Sequence, residues 1–156
     1  MSDPLHICFV CTGNICRSPM AQNIFAKALV DAGLAGRVVV SSCGIGGWHV
    51  GEPADNRART QLLAHGYSDA HVAAQLGPEH IGADLFVAAD SGHKKVLERK
   101  RLGGTVQLLR AFDPGADGDL DLLDPYYGTP NDFEVTRTQI EAAIPGLLDW
   151  VRRRLA

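Results

Sequence analysis

The sequence lacks any apolar run near the roughly 20 residues that a membrane-spanning helix needs, and its first residues lack the basic stretch and cleavage site of a signal peptide. It also lacks an excess of positive charge: 15 Lys and Arg against 18 Asp and Glu give a formal net charge of -3. Nucleic-acid binding depends on clustered positive charge, so this balance argues against a nucleic-acid partner. These absences predict a cytoplasmic protein with no membrane partner, although export without an N-terminal signal stays open.

Cysteine is scarce, with four residues in a chain of 156. In a reducing compartment such cysteines are free thiols or catalytic groups more often than a disulfide framework. We expect Cys8 and Cys43 to be buried thiols of the core. Cys11 and Cys16 have no His or Cys pair elsewhere that would complete a four-ligand zinc site, so we expect neither a metal nor another cofactor.

Strand and helix patterns alternate along the chain. Short apolar runs predict buried strands, and stretches with helical spacing lie between and after them. The strands are predicted over 5–10, 38–40, 84–89 and 106–109, and the helices over 18–33, 54–65, 91–101 and 131–155. This alternation predicts an α/β fold: a single doubly wound three-layer domain over residues 1–156, with a four-stranded parallel sheet and helices on both faces.

Proline and glycine mark the expected helix ends and breaks. Ser18 is expected to cap the first helix, with Pro19 at its first position. Pro145-Gly146 should kink or divide the last helix. Residues 110–130 are rich in Asp, Gly and Pro with little periodicity, which in a compact domain is typical of a functional loop.

The most informative segment lies between the first predicted strand and the first helix. It reads Cys-Thr-Gly-Asn-Ile-Cys-Arg-Ser over residues 11–18. A loop at this place in a parallel sheet, just before a helix N-terminus, can turn its N–H groups towards an anion. Gly13 gives the loop conformational freedom, and the planar fork of Arg17 can hold two phosphate oxygens. The expected phosphate-binding residues are Thr12, Gly13, Asn14, Ile15, Cys16, Arg17 and Ser18.

The same segment offers a nucleophile. A positive environment of this kind stabilises a thiolate, so Cys11 is expected to carry a charged sulfur at neutral pH. Such a sulfur can displace the ester oxygen of a phosphate monoester and form a phosphocysteine that water later hydrolyses. Ser18 can hydrogen-bond Cys11 and ease its departure in the second step. The pattern therefore predicts a phosphatase.

These residues resemble the signature loop of the low-molecular-weight protein tyrosine phosphatases, and Asp124-Pro125-Tyr126-Tyr127-Gly128 resembles the general-acid loop of that family. The similarity extends over essentially the whole chain, and Trp48-His49-Val50-Gly51 looks like bacterial members of the protein tyrosine phosphatase A type. The resemblance implies that Cys11 is the nucleophile, that Arg17 binds phosphate, and that Asp124 is the general acid and then the base.

The resemblance also implies the shape of the substrate cleft. Tyr126 and Tyr127 would form one wall, with Trp48 and His49 on the other. The slot between them would be deep enough for a phosphotyrosine ring, whereas phosphoserine would be too short to reach the nucleophile. The implied partners are phosphotyrosine proteins, with inorganic phosphate or other oxyanions as competing ligands.

Further residues take supporting roles by resemblance. Asn14 would adopt a strained conformation fixed by Ser42, and Cys16 would be a redox partner that forms a reversible disulfide with Cys11. The residues expected to brace the site through structural hydrogen bonds are Asp55, Arg57, His71 and Asp90.

Three other functions remain as alternatives. An arsenate reductase of this fold requires a downstream cysteine pair, and no cysteine follows Cys43. A protein-arginine phosphatase usually has Thr where this chain has Ile15, and it lacks the double tyrosine. A catalytically silent phosphotyrosine-binding module is disfavoured because the nucleophile, the phosphate clamp and the acid are all present.

Overall fold

The computed structural model describes residues 3–156, which fold as alternating strands and helices. The strands are β1 (Leu5–Cys11), β2 (Val38–Gly44), β3 (Leu85–Ala88) and β4 (Thr105–Leu108). The helices are α1 (Arg17–Asp31), α2 (Asn56–Ala64), α3 (Ser91–Arg99) and α4 (Pro130–Leu155), with a short 3₁₀ helix at Leu109–Phe112.

The four strands form one parallel sheet in the order β2-β1-β3-β4. After β2 the chain crosses back over β1 to form β3, so the direction of winding reverses between β1 and β3. Ligands of doubly wound sheets bind outside the carboxyl ends of the strands at such a switch point. Cys11 is the last residue of β1 and therefore lies at this place.

The sheet is covered by helices on both faces. Ile7 and Phe9 of β1 belong to a large apolar cluster that includes buried residues of α1, α2 and α4. Cys8 and Val10 point to the other face, into a smaller cluster that includes Leu97 of α3. This alternation follows from the two-residue period of a strand. The predicted three-layer α/β fold with a parallel sheet is confirmed.

Two predicted boundaries near the first loop are wrong. Strand β2 continues to Gly44, beyond the predicted 38–40, because its polar residues pair in register with β1, up to the partners Cys11 and Gly44. Helix α1 begins at Arg17 with Cys16 as its N-cap residue, so Ser18 does not cap it. The Ser18 hydroxyl instead contacts the Cys11 sulfur and the Asn14 amide.

The last helix is continuous, so Pro145-Gly146 does not divide it, and a kink at this place stays a prediction. A Cβ at Gly146 would lie 2.0 Å from the carbonyl oxygen of Phe112, so glycine allows the 3₁₀ helix to pack closely against α4. Although α4 has 26 residues, neither it nor any other helix among residues 3–156 is long and apolar enough to cross a membrane.

Candidate active site

The loop between β1 and α1 leaves its backbone donors unused. Within the described residues, none of the N–H groups of residues 12–18 donates a hydrogen bond to another group of the protein. The loop is held through its carbonyl groups instead: Thr12 O accepts from Gly46 N at 2.9 Å and Ile15 O from Asp55 N at 2.8 Å. The unused N–H groups and the N-terminus of α1 together favour an anion at this position.

The Cys11 sulfur lies beside this loop and faces a hydroxyl donor. Its Sγ is 2.9 Å from Ser18 Oγ. Asn14 Nδ2 donates to the same Ser18 oxygen at 2.7 Å, so the Ser18 proton remains available for the sulfur. A hydrogen bond donated to sulfur stabilises its anionic form.

Asn14 is buried and has a positive φ of 61°, in the left-handed region. Its side-chain nitrogen donates to Ser18 Oγ and, at 3.0 Å, to Ser42 Oγ. Its side-chain oxygen accepts from Ala74 N at 2.8 Å, and its carbonyl oxygen contacts His71 Nε2 at 2.6 Å. The structure thus brings Asn14, Ser42 and His71 together around the back of the loop, along with Ala74, which sequence reasoning did not single out.

We expect Asn14→Ala to lower the free energy of unfolding by about 2–4 kcal/mol, because it removes three buried hydrogen bonds and puts alanine at a left-handed φ. Urea unfolding measures this change. Asn14→Gly is the matched control: it loses the same bonds but tolerates the positive φ, so its loss should be smaller. Parental stability in both variants would contradict this account of the loop.

Arg17 is buried at the start of α1, and its guanidinium is fixed by two neighbouring elements. Nη1 donates to Asp90 Oδ2 at 2.9 Å and to the carbonyl oxygen of Leu122 at 3.3 Å. Nη2 lies 3.4 Å from both Thr12 Oγ1 and Asp124 Oδ2. A paired and hydrogen-bonded guanidinium of this kind is held in one orientation at the floor of the site.

Asp90 and His93 form a second layer beneath Arg17. Burial opposes ionisation of Asp90, but the neighbouring His93 and Arg17 lower its pKa overall. Burial lowers the pKa of His93, although the negative charge of Asp90 acts in the opposite direction. His93 Nε2 lies 2.8 Å from Thr12 Oγ1, a contact that sequence reasoning missed because its partners are 81 positions apart.

Asp124 lies on the loop before α4, and about half of its side chain is exposed at the cleft. Oδ1 accepts from the backbone N–H of Tyr126 at 3.2 Å, and Oδ2 is the oxygen that faces Arg17. The carboxylate is therefore held by its own loop while one oxygen remains next to the anion-binding loop.

Arg57 holds this loop from below. Its guanidinium donates to the carbonyl oxygens of Tyr126 at 2.9 Å and Gly128 at 3.2 Å, and it pairs with both carboxylate oxygens of Asp55. It also lies 4.5 Å from the centre of the Phe133 ring. Asp55 caps α2 as well, so the two residues connect α2 to the loop that carries Asp124.

The cleft above the loop has a volume of about 380 Å³ and aromatic walls. The rings of His49 and Tyr126 are tilted by 53° with centroids 6.2 Å apart, and Tyr127 meets Tyr126 edge to face. Trp48 and Tyr127 are 73% and 92% exposed and form the rim. A Cβ at Gly13 would lie 3.0 Å from the His49 ring, so glycine lets that wall approach the floor.

All four cysteines are buried free thiols. Cys8 and Cys43 lie in the smaller core with their sulfurs 3.7 Å apart. Burial raises the pKa of Cys16, and the negative charge of Asp55 adds to this, so its thiol stays protonated. No group of three or more potential metal ligands occurs among residues 3–156. Disulfide formation between Cys16 and Cys11 stays a prediction.

Known proteins share this sequence and this fold. A family model described as low molecular weight phosphotyrosine protein phosphatase matches residues 6–156. A low molecular weight protein-tyrosine phosphatase A of Mycobacterium tuberculosis is 54% identical over 160 residues, covering 100% of this chain and 97% of that protein.

Two solved structures are similar over nearly their whole length. YfkJ from Bacillus subtilis has a TM-score of 0.89 and 30% identity, covering 98% of each chain. The YwlE arginine phosphatase from Geobacillus stearothermophilus has a TM-score of 0.81 and 33% identity, covering 97% of this chain and 95% of that one. On the family match and this degree of identity, the chain belongs to the low molecular weight phosphotyrosine protein phosphatase family.

Proposed function

We propose that this chain is a protein tyrosine phosphatase that hydrolyses phosphotyrosine through a cysteinyl-phosphate intermediate. The observation that carries the proposal is the row of unused N–H groups at residues 12–18, beside the Cys11 sulfur and the Arg17 guanidinium. A thiolate, an anion-binding loop and a carboxylic acid at one cleft are the groups that phosphate-monoester hydrolysis through sulfur needs.

In the first step the Cys11 sulfur attacks phosphorus and the bond from phosphorus to the phenolic oxygen breaks. Arg17 and the loop N–H groups stabilise the charge on the phosphoryl oxygens. Asp124, in its protonated form, gives its proton to the departing phenolate, so that neutral tyrosine leaves. Cys11 then carries the phosphoryl group.

In the second step a water molecule attacks the phosphoryl group. Asp124, now ionised, takes a proton from the water as the phosphorus–oxygen bond forms. The sulfur–phosphorus bond breaks, and the hydrogen bond from Ser18 stabilises the departing thiolate, whose Sγ lies 2.9 Å from Ser18 Oγ. Inorganic phosphate leaves, and it can bind again as a competitive ligand, as can other oxyanions.

The walls of the cleft favour tyrosine as the substrate residue. His49 and Tyr126 lie next to one another in the cleft lining, with ring centroids 6.2 Å apart, and Tyr127 meets Tyr126 edge to face. Aromatic rings stack against one another with centroids 4.5–7 Å apart in general, so such walls suit a phenyl ring. Ile15 lines the same cleft and offers only an apolar surface to a guanidinium. The side chain of phosphoarginine therefore gains less binding energy there than a phenyl ring.

We extend the proposal to the context of the protein. Its substrates are phosphoproteins, in keeping with the family, and it works as one domain over residues 1–156. The family match over residues 6–156 supports this. The four free thiols support the expectation of a reducing, cytoplasmic environment. We expect no nucleic-acid partner, because the chain has a net charge of -3.

The test is a comparison of substrates under one set of conditions. We expect kcat/KM for a phosphotyrosine peptide to exceed that for phosphoserine peptide and for phosphoarginine by at least about tenfold, because a wrong-shaped substrate loses contacts to the walls. Arsenate reduction is assayed beside them with a thiol reductant. Faster phosphoarginine cleavage or arsenate reduction would show that the substrate assignment is wrong. Binding of phosphotyrosine without turnover would indicate a silent binding module.

A further inference from the structure

The hydroxyl of Thr12 contacts side-chain nitrogen atoms on two sides. His93 Nε2 lies 2.8 Å and Arg17 Nη2 lies 3.4 Å from Thr12 Oγ1. The other ring nitrogen of His93, Nδ1, accepts from the backbone N–H of Asp90 at 3.2 Å. Nδ1 also lies 3.2 Å from Asp90 Oδ1. Because the backbone N–H of Asp90 points at Nδ1, we assign the ring proton to Nε2, which makes His93 the donor in its contact with Thr12.

This arrangement determines what the Thr12 proton can do. A hydroxyl has one proton and two acceptor positions, and both acceptor positions of Thr12 are directed at N–H donors. Thr12 itself is exposed and lines the cleft, whereas the His93 side chain is buried. The hydroxyl proton of Thr12 is therefore free to donate into the cleft that Thr12 lines.

We propose that His93 is a positioning residue of the phosphate site, which holds the Thr12 hydroxyl as an acceptor so that Thr12 donates its proton to the phosphoryl group bound over Cys11. Thr12 thus adds one side-chain donor to the backbone donors of the loop. This inference rests on the proposed phosphatase function. His93, which lies in α3, would thus position Thr12, a role separate from those of Cys11, Arg17 and Asp124.

A purely structural role for His93 is the competing explanation. Asp90 Oδ1 accepts from His93 N, and His93 Nδ1 accepts from Asp90 N, which together form a capping box at the start of α3. Capping uses only Nδ1, whereas the contact with Thr12 uses only Nε2. A substitution can therefore remove one function and keep the other.

The test is a double-mutant cycle with Thr12→Val and His93→Asn. Asparagine keeps a side-chain oxygen that can accept from Asp90 N, but it is too short to reach Thr12 as well. We expect Thr12→Val to lower kcat/KM for phosphotyrosine peptide by about tenfold, the effect of one hydrogen bond to a charged group. His93→Asn should lower it several-fold, mainly in kcat, and the double variant should be no slower than Thr12→Val alone.

Two control variants sharpen the cycle. Thr12→Ser keeps the hydroxyl, so it should lose much less activity than Thr12→Val and remain sensitive to His93→Asn. His93→Gln keeps an oxygen for the cap and a longer N–H donor for Thr12, so it should recover much of the rate. Melting temperatures of all variants, and vanadate inhibition as a measure of anion binding, are recorded beside the rates.

Several results would overturn the inference. Additive losses in the double variant would mean that His93 does not act through Thr12, and a parental rate for Thr12→Val would mean that the hydroxyl does not contact the phosphoryl group. A parental rate for His93→Asn, which keeps the oxygen for the cap, would leave capping as the whole role of His93. An unaltered protein that hydrolyses no phosphotyrosine would instead contradict the proposed function itself.

Discussion

Cys11→Ser is expected to lower kcat/KM for phosphotyrosine peptide by at least about 10⁴-fold, since it removes the nucleophile of a covalent mechanism. A serine hydroxyl holds its proton far more tightly than a thiol, and the side chain that the structure places against Cys11 is another hydroxyl, Ser18. No strong base is thus available there to remove the proton. Steady-state rates with the phosphotyrosine peptide measure the loss.

Binding should survive this substitution. The N–H groups of residues 12–18 and the Arg17 guanidinium are unchanged, so Cys11→Ser should still bind phosphate or vanadate. Cys16→Ser is the matched control, because Cys16 lines the same cleft but its raised pKa keeps it protonated. We expect it to keep most of the parental rate. Equal losses in the two variants would be incompatible with Cys11 as the sole nucleophile.

Alkylation gives an independent readout of the same sulfur. In the unaltered protein, iodoacetate should modify Cys11 before Cys16, because burial raises the pKa of Cys16 and thiols react far more slowly than thiolates. Phosphate or vanadate should protect it by occupying the loop. Slow modification without protection would count against an anion site beside this sulfur.

The fold could be predicted because its signals are local. Each strand of the parallel sheet is a short apolar run, and each helix shows its own periodicity, so alternation alone gave the three layers. The errors lie where tertiary contacts override local preference. Ser42 and Gly44 are poor strand residues by composition, yet they belong to β2 because β1 pairs with them along its whole length. Pro145 stays inside α4, which packs against the 3₁₀ helix at Gly146.

The site was predictable only in part, for a related reason. Cys11, Arg17 and Ser18 lie within one short loop, so their spacing carries the chemistry directly. The link between Arg57 and the carbonyl groups of the Asp124 loop joins residues about 70 positions apart and leaves no pattern in the sequence. Such contacts depend on how α2, α3 and the loops pack around the sheet.

This packing also determines how Asp124 and Arg17 are held. Arg57 and Asp55 connect α2 to the loop that carries Asp124, while Asp90 holds the Arg17 guanidinium from the other side. Arg17 and Asp124, which we propose to act on the phosphoryl group and on the leaving oxygen, are thus held by separate elements. Asp124 is the more exposed of the two, so its contribution can be removed with little effect on the loop beneath it.

Asp124→Asn is expected to lower kcat for phosphotyrosine peptide by about 10²–10⁴-fold, the usual contribution of a positioned proton donor. Asparagine keeps the shape of the side chain and the hydrogen bond from Tyr126 N, but it cannot give a proton to the phenolate or take one from water. With p-nitrophenyl phosphate, whose leaving group departs without a proton, the first step should be largely spared. Rapid mixing should therefore show a burst of nitrophenolate equal to the enzyme concentration, followed by slow turnover.

Asp121→Asn is the matched control for this prediction. Its carboxylate lies on the same loop but accepts hydrogen bonds from the backbone and side chain of Ser91, at the start of α3. We expect it to change kcat by less than about tenfold, because it touches neither the leaving group nor the attacking water. If the two variants lost activity equally, or if Asp124→Asn turned over phosphotyrosine at the parental rate, proton transfer would have to be assigned to another group. A burst with p-nitrophenyl phosphate together with a lost rate on phosphotyrosine places Asp124 at the leaving oxygen, since only that position makes its effect depend on the leaving group.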